Sequence, residues 1–343
     1  MKLVSQRRHM IARSPQKAEP SEWVAELRMA YTQPHALLRD LDLDPAAAAF
    51  DLAAAARFAF RVPRPYARRM RAGDPADPLL RQVLPVRDEC TDVTGFTADP
   101  VGELATQRQP GYLHKYHGRV LLLLSGGCAV NCRYCFRREF PYQGAVGSQQ
   151  IAAALTDIGG DPSINEVILS GGDPLLVHDE PLAMLVSRLE AIPHLRRLRI
   201  HTRLPLVLPT RITPLLLSTL AGSRLRTSLV LHVNHAQEID HEVVTACAAL
   251  ARHGVTLLNQ SVLLRGVNDD ARVLAELSEA LFEAGVLPYY LHLLDRVRGA
   301  AHFEVPAQEA RELQRQLRAL LPGYLVPQMV REVAGAPSKV PFV

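Results

Sequence analysis

RVLLLLSGGCAVNCRYC, residues 119–135, sets an aliphatic run (120–124) directly before two glycines and three cysteines. A short apolar run closed by Gly-Gly reads as a buried strand, and the cysteines then fall on the loop that follows it. Downstream the same rhythm returns in EVILS (166–170), LRIHT (198–202), TSLVLHV (227–233), VTLLNQSVLL (255–264) and LPYYLHL (287–293). Helical patterns occupy 148–158, 179–191, 211–221, 239–253 and 270–284. That alternation predicts an α/β fold of βα units with a parallel sheet. Six units suit a partial or complete barrel, and an open doubly wound sheet has the same spacing. Polar residues sit at or just past the runs: Gly171-Gly172-Asp173, Thr202-Arg203, His232 and Asn234, Asn259-Gln260, and Asp295. In parallel α/β folds the C-terminal strand edge carries the chemistry, so one site built from many loops is expected.

Upstream, residues 1–115 read as a helical and loop region without strand rhythm. Ser21 is an N-cap candidate for SEWVAELRMAYT, with Trp23, Leu27 and Ala30 at helical spacing. Asp44-Pro45 opens a second expected helix through AAAAFDLAAAARF, and the Gly73–Pro78 stretch breaks the pattern. The three segments expected are 1–115, a 116–300 core, and a C-terminal 301–343.

Composition narrows the class. The chain has 343 residues, 48% apolar and 22% charged, which is ordinary globular usage. Lys+Arg 39 against Asp+Glu 35 leaves +4, too mild to demand nucleic acid. The basic segment RVPRPYARRMR (61–71) has a single Tyr and reads as a solvated helix rather than a nucleic-acid surface. No run approaches the roughly 18 apolar residues of a membrane helix, and the opening MKLVSQRRHMIARSPQ lacks the apolar core of a secretory signal. A cytoplasmic protein is expected.

Three of the five cysteines, Cys128, Cys132 and Cys135, form a C-x3-C-x2-C run. Three thiolates on one loop can each take one iron of a cubane cluster, leaving the fourth iron open for another ligand. Structural zinc, the alternative, usually wants four ligands in C-x2-C pairs. Cys247 lies in a helical pattern and reads as a small buried residue, while Cys90 carries no signal. A non-catalytic iron–sulfur sensor is the rival of another class, although such a cluster would normally be fully ligated.

Cys-x3-Cys-x2-Cys after the first strand of a βα series resembles the radical S-adenosylmethionine superfamily. The resemblance implies a partial (β/α)6 barrel and a [4Fe-4S] cluster whose open iron binds S-adenosylmethionine. Ser170-Gly171-Gly172-Asp173 resembles the superfamily's strand-edge motif at the methionyl group. It further implies cofactor contacts for Arg203, His232, Asn259 and Gln260. More narrowly, YLHKYHGR (112–119), CFRR (135–138), LSGGDPLL (169–176), TRLPLVLPTRIT (202–213), HVNH (232–235), NQSVLLRGVND (259–269) and PYYLHLLD (288–295) look like lysine 2,3-aminomutase. That family moves an amino group from C2 to C3 and also needs pyridoxal 5′-phosphate.

Pyridoxal phosphate needs a lysine to carry it, and the chain has only Lys2, Lys17, Lys115 and Lys339. Lys339 follows the turn VAGAPS at the point where the family has its cofactor lysine, with Ala, Pro and Ser in place of most of the family's glycines. Lys115, Tyr116 and Arg119 match the phosphate-contacting stretch, and arginine's fork suits phosphate. Arg137 matches the residue that binds the substrate carboxylate. Asp295 and Glu332 match the acidic pair for a lysine ε-ammonium, with Glu where the family usually has Asp.

The ending LPGYLVP (321–327) through Lys339 resembles the shorter branch that makes β-lysine for translation elongation factor P; the longer catabolic enzymes carry an extra C-terminal region. The partners this implies are free lysine, a reductant such as flavodoxin or ferredoxin, and elongation factor P with its lysyl ligase. No membrane or nucleic-acid partner is expected, and a homo-oligomer is allowed.

Overall fold

The computed structural model describes residues 21–342, so the opening segment, with Lys2 and Lys17, lies outside the described residues. Ten strands make one sheet whose spatial order is the sequence order. They are β1 (Gln107–Gln109), β2 (Tyr112–Tyr116), β3 (Arg119–Ser125), β4 (Glu166–Gly171), β5 (Arg197–Thr202), β6 (Arg226–Leu231), β7 (Thr256–Val262), β8 (Leu287–His292), β9 (Gln328–Arg331) and β10 (Val340–Pro341). Pairing is parallel from β3 to β9 and antiparallel at the two ends. A doubly wound sheet reverses its strand order at a switch point. Here the order never reverses, so each right-handed crossover advances the sheet in one direction, and the twist curls it into an open barrel.

The expected crossover helices are present as Ser148–Gly160, Asp179–Glu190, Pro214–Ala221, His241–Arg252 and Ala271–Glu283. Short polar side chains start three of them. Thr213 caps Leu216 at 3.1 Å with Pro214 at the first turn. Asp240 accepts from Val243 at 3.0 Å, and Asp270 from Arg272 at 2.8 Å. Their apolar faces cover the outside of the sheet. Trp23, Leu37, Leu38, Tyr66 and Leu79 from the N-terminal region pack in the same buried cluster as Leu122, Leu169, Leu198 and Leu229 of the strands.

Four expectations need correction. Strand β1 and all but the last residue of β2 lie within 1–115, where none was expected. Their alternation is too short to register in the sequence, and they form because β3 offers an edge to pair with (Tyr112↔Leu122). The 301–343 segment adds a seventh parallel strand, β9, after a further crossover helix, Ala307–Leu320. The expected second helix survives only as Leu52–Arg57. Phe50 makes a backbone bridge to Val86, and the Asp51 side chain caps Ala54 at 2.9 Å, so the helix starts there rather than at Pro45. The segment 61–71 is helical only over Arg64–Ala67; Arg64, Arg68 and Arg71 are exposed there as expected, whereas Arg61 and Arg69 turn inward onto the protein. Arg69 bonds the carbonyls of Leu206 and Glu238, and Arg61 donates to Cys128 O at 3.3 Å. No helix among the described residues is long and apolar enough to cross a membrane.

Candidate active site

Period-two alternation along the parallel strands decides which side chains face the barrel interior. Arg119 and Leu121 on β3, Ile168 and Ser170 on β4, Arg199 and His201 on β5, Gln260 and Val262 on β7, and Tyr290 and His292 on β8 line a cavity of about 410 Å³. Cys128, Cys132, Cys135, Arg137, Arg203, His232, Asp295, Glu332 and Lys339 line the same cavity. The strand ends thus bring together residues that the sequence spreads over more than two hundred positions. Asn259 does not join them. It sits on the opposite face of β7 from Gln260, accepting from Val233 N at 2.9 Å and donating to Ser261 Oγ at 2.9 Å, so it ties β6 to β7 instead of contacting a cofactor. Gln260 stays inside, 3.2 Å from His232 Nε2.

The Gly-Gly step of β4 has a spatial reason. A Cβ on Gly172 would lie 2.0 Å from Gly127 O, and one on Gly171, at φ +128°, 2.4 Å from Ser125 O. The two backbones touch, with Gly172 N donating to Ser125 O at 2.6 Å and Asp173 N to Gly127 O at 2.8 Å. The cysteine loop is therefore seated directly on the β4 edge. Asp173 is used within the protein: it accepts from Thr202 Oγ1 at 2.7 Å, Arg203 N at 2.8 Å and Leu175 N at 3.0 Å, while burial raises it to about 6.

The loop is also clamped from behind. Glu89 accepts from Arg133 Nε at 2.8 Å and Nη2 at 2.7 Å, and from Arg138 Nη2 at 2.8 Å, with all three side chains buried. Arg203 Nη1 lies 2.6 Å from Cys132 Sγ, and its Nη2 lies 2.7 Å from Glu238 Oε2. Burial, and then the neighbouring thiols, push Cys128 well up and Cys135 to about 11. Cluster binding must therefore displace protons from them. Among the described residues no three His, Cys, Asp or Glu side chains are placed to hold a single metal ion. A cubane spreads its thiolates over separate irons, and three thiols facing one cavity fit it. Cys247 is fully buried with its thiol pushed up to about 12 by burial, as a core residue should be. Cys90 lies away from the cavity, 3.8 Å from Asp51 Oδ1.

At the other wall, Lys339 Nζ lies 2.8 Å from Glu332 Oε2, and Lys115 Nζ lies 2.6 Å from Glu332 Oε1; Tyr116 also donates to that oxygen. Burial acts to raise Glu332, but Lys339, Lys115 and Tyr116 outweigh it and hold the carboxyl at about 2. Asp295 has no ion pair among the described residues, and burial raises it to about 7. Arg119 lies over the Tyr116 ring, 4.7 Å from its centroid, and likewise has no ion pair there. Arg137 binds Glu103 through Nε and Nη2, both at 2.6 Å.

Sequence reasoning missed Glu103, His201 and His292. The Nε2 atoms of both histidines are buried without a partner, and burial holds both rings neutral, as it does His232 at about 3. Such orphaned atoms facing a cavity suit a bound ligand. The signal for the histidines was their inward position within apolar runs; Glu103 has none.

Residues 122–277 match the family model described as Radical SAM superfamily, the class that a cysteine loop at the C-terminal mouth of an open α/β barrel defines. An L-lysine 2,3-aminomutase of Escherichia coli (strain K12) is 53% identical over 94% of this chain and 94% of its own length. One from Haemophilus influenzae is 47% identical over 96% and 98%, and one from Clostridium subterminale 40% over 79% and 65%. The chain belongs to the L-lysine 2,3-aminomutase family, a family of isomerases within the radical S-adenosylmethionine superfamily. That membership implies a [4Fe-4S] cluster and S-adenosylmethionine as cofactors.

Proposed function

We propose that the chain converts L-α-lysine to β-lysine, with Cys128, Cys132 and Cys135 holding the cluster and Lys339 carrying pyridoxal phosphate. The observation that supports this most is that Lys339 enters the cavity that the three cysteines line. The cluster and S-adenosylmethionine supply a hydrogen-abstracting radical when bound, and pyridoxal phosphate a conjugated system that delocalises an unpaired electron.

The protein's own part is placement. Arg119 and Tyr116 hold the phosphate, Arg137 the substrate carboxylate, and Asp295 the ε-ammonium. Lys115 faces Glu332, so its share in the phosphate site requires it to leave that pair. His201, His232 and His292, being neutral, offer hydrogen bonds without adding charge. Leu121, Ile168 and Val262 keep water from the reacting carbons. Ser170, Gly171, Gly172, Asp173, Arg203 and Gln260 are assigned to the S-adenosylmethionine side.

The β-lysine is proposed to serve modification of elongation factor P. The identity is higher to the E. coli and H. influenzae relatives, whose lengths are covered to 94% and 98%, than to the longer Clostridium one, covered to 65%, and this supports the shorter branch. The central test is anaerobic turnover of lysine scored for β-lysine, together with borohydride reduction and peptide mapping of the pyridoxyl group. Label on Lys339 and formation of β-lysine are the expected results; label on another lysine overturns the assignment. For the branch, a strain lacking the chain should accumulate unmodified elongation factor P.

A further inference from the structure

We propose that Glu103 is a positioning residue, fixing the Arg137 guanidinium for the carboxylate of an α-amino-acid substrate. The inference rests on the reading of Arg137 given above. Arg137 is buried and offers five N–H donors. Nε and Nη2 each donate to Glu103 at 2.6 Å. Nη1 donates to Ser170 Oγ at 2.9 Å and to Gly171 O at 3.1 Å. The guanidinium is thus held along one edge by a carboxylate and at its tip by the β4 strand end, and it cannot rotate about its own axis without breaking both.

Two arrangements could admit a substrate carboxylate: displacement of Glu103, or approach at the Nη1–Nη2 end. The surroundings of Glu103 favour the second. Its carboxylate accepts from no group but Arg137 among the described residues, and the residue is 8% exposed. Its backbone is fixed too. Its N–H donates to Asp99 Oδ1 at 2.9 Å, and its carbonyl accepts from Thr106 Oγ1 at 2.8 Å. Lys115 Nζ ties the same loop at Val101 O, 3.1 Å away. Expelling Glu103 would leave a buried carboxylate without a counter-ion, which costs more than the incoming carboxylate regains. Glu103 therefore stays, and the substrate exchanges for Ser170 Oγ at Nη1 while using the remaining Nη2 N–H. With Glu103 in place the pair is neutral, so recognition comes from the direction of two N–H bonds rather than from net charge. An arginine free to swing would lose that direction.

The test uses the anaerobic, fully loaded enzyme. Calorimetry without reductant gives Kd for lysine and for 1,5-diaminopentane, the same chain without the carboxylate; turnover with reductant gives KM and kcat. Glu103→Gln should raise Kd and KM for lysine about tenfold, the equivalent of one charge-assisted bond, with a smaller change in kcat. Binding of 1,5-diaminopentane should not change. Glu103→Asp should recover part of the loss, and it carries the same comparison if Glu103→Gln fails to fold. Unchanged or tighter lysine binding overturns the proposal, and so does equal weakening of both ligands, which would mark a merely structural role. Arg137→Gln separates the two readings. If it leaves lysine affinity intact, the carboxylate reading of Arg137 fails; if it weakens lysine and Glu103→Gln does not, only the role of Glu103 fails.

Discussion

Lys339 Nζ donates to Glu332 Oε2 at 2.8 Å, so the cofactor-lysine candidate and one of the two candidate substrate acids are each other's partners. Glu332 is shared with Lys115, whereas Asp295, beside them, has no ion pair among the described residues. The two acids that look equivalent in the sequence therefore stand in different electrostatic states, and they should behave differently on mutation and with pH.

Glu332 is held at about 2, against an ordinary glutamate near about 4.3. A depressed carboxyl pKa stabilises the fold above the unfolded value, and that stability is lost as pH falls through the folded one. Thermal denaturation of the cofactor-free protein should thus show Tm declining from about pH 4.3 toward 2. Glu332→Gln should lower Tm at pH 7 and flatten that decline. An unchanged acid limb in the variant would remove Glu332 as its source.

Asp295 is shifted the opposite way, to about 7 by burial. Here the native state holds a proton that the unfolded chain releases, so stability should fall as pH rises from about 4 to about 7. A cationic side chain needs the ionised form. Lysine affinity should therefore rise with pH through this range in the parent and lose that dependence in Asp295→Asn. Kd for lysine measured across pH 5.5–8.5, roughly centred on that value, decides it.

Asp295→Asn should also lower kcat/KM for lysine about ten- to a hundred-fold, by the loss of one charge-assisted bond to a desolvated ammonium. Glu332→Gln should impair lysine turnover as well, but partly by leaving Lys115 and Lys339 without their shared acid. Glutamate should be a poor substrate of the parent, because its side-chain carboxylate would face both acids. A parent preference for glutamate would remove the lysine reading.

Gly172→Ala should cost the cluster rather than the fold. The added Cβ would stand 2.0 Å from Gly127 O, a backbone atom with no flexible end to move aside, so the cysteine loop must shift off β4. Iron content after anaerobic reconstitution should fall well below the parent while far-ultraviolet circular dichroism stays unchanged. Parental iron content would show that the loop seating is not needed.

Glu89→Gln removes the buried charge between Arg133 and Arg138. Breaking a buried ion pair typically destabilises by about 3–5 kcal/mol, and two arginines share this one. Denaturant unfolding should show a loss of that order. A loss under about 1 kcal/mol, the scale of a surface pair, would mean that water reaches the cluster loop from behind.

What the sequence determined by itself was whatever repeats locally. Apolar runs of strand length and 3.6-residue helical periodicity announce β3 to β8 and their crossovers, and Cys128, Cys132 and Cys135 share one loop because eight residues cannot separate them. Lys339 stood out through the scarcity of lysine. Only the tertiary structure decided which of two adjacent polar residues faces inward: Gln260 lines the cavity and Asn259 does not, because pairing with β6 and β8 sets the register that aims them. It likewise decided the partners of the charges. Lys115 meets Glu332 across 217 residues, and Glu103 meets Arg137 across 34, in pairs that exist only after the sheet has curled. Ion pairing depends on distance in space and on burial, and neither is encoded in local periodicity. The N-terminal strands and β9 escaped notice for a related reason, since their edges form only when a neighbouring strand is already in place to pair with them.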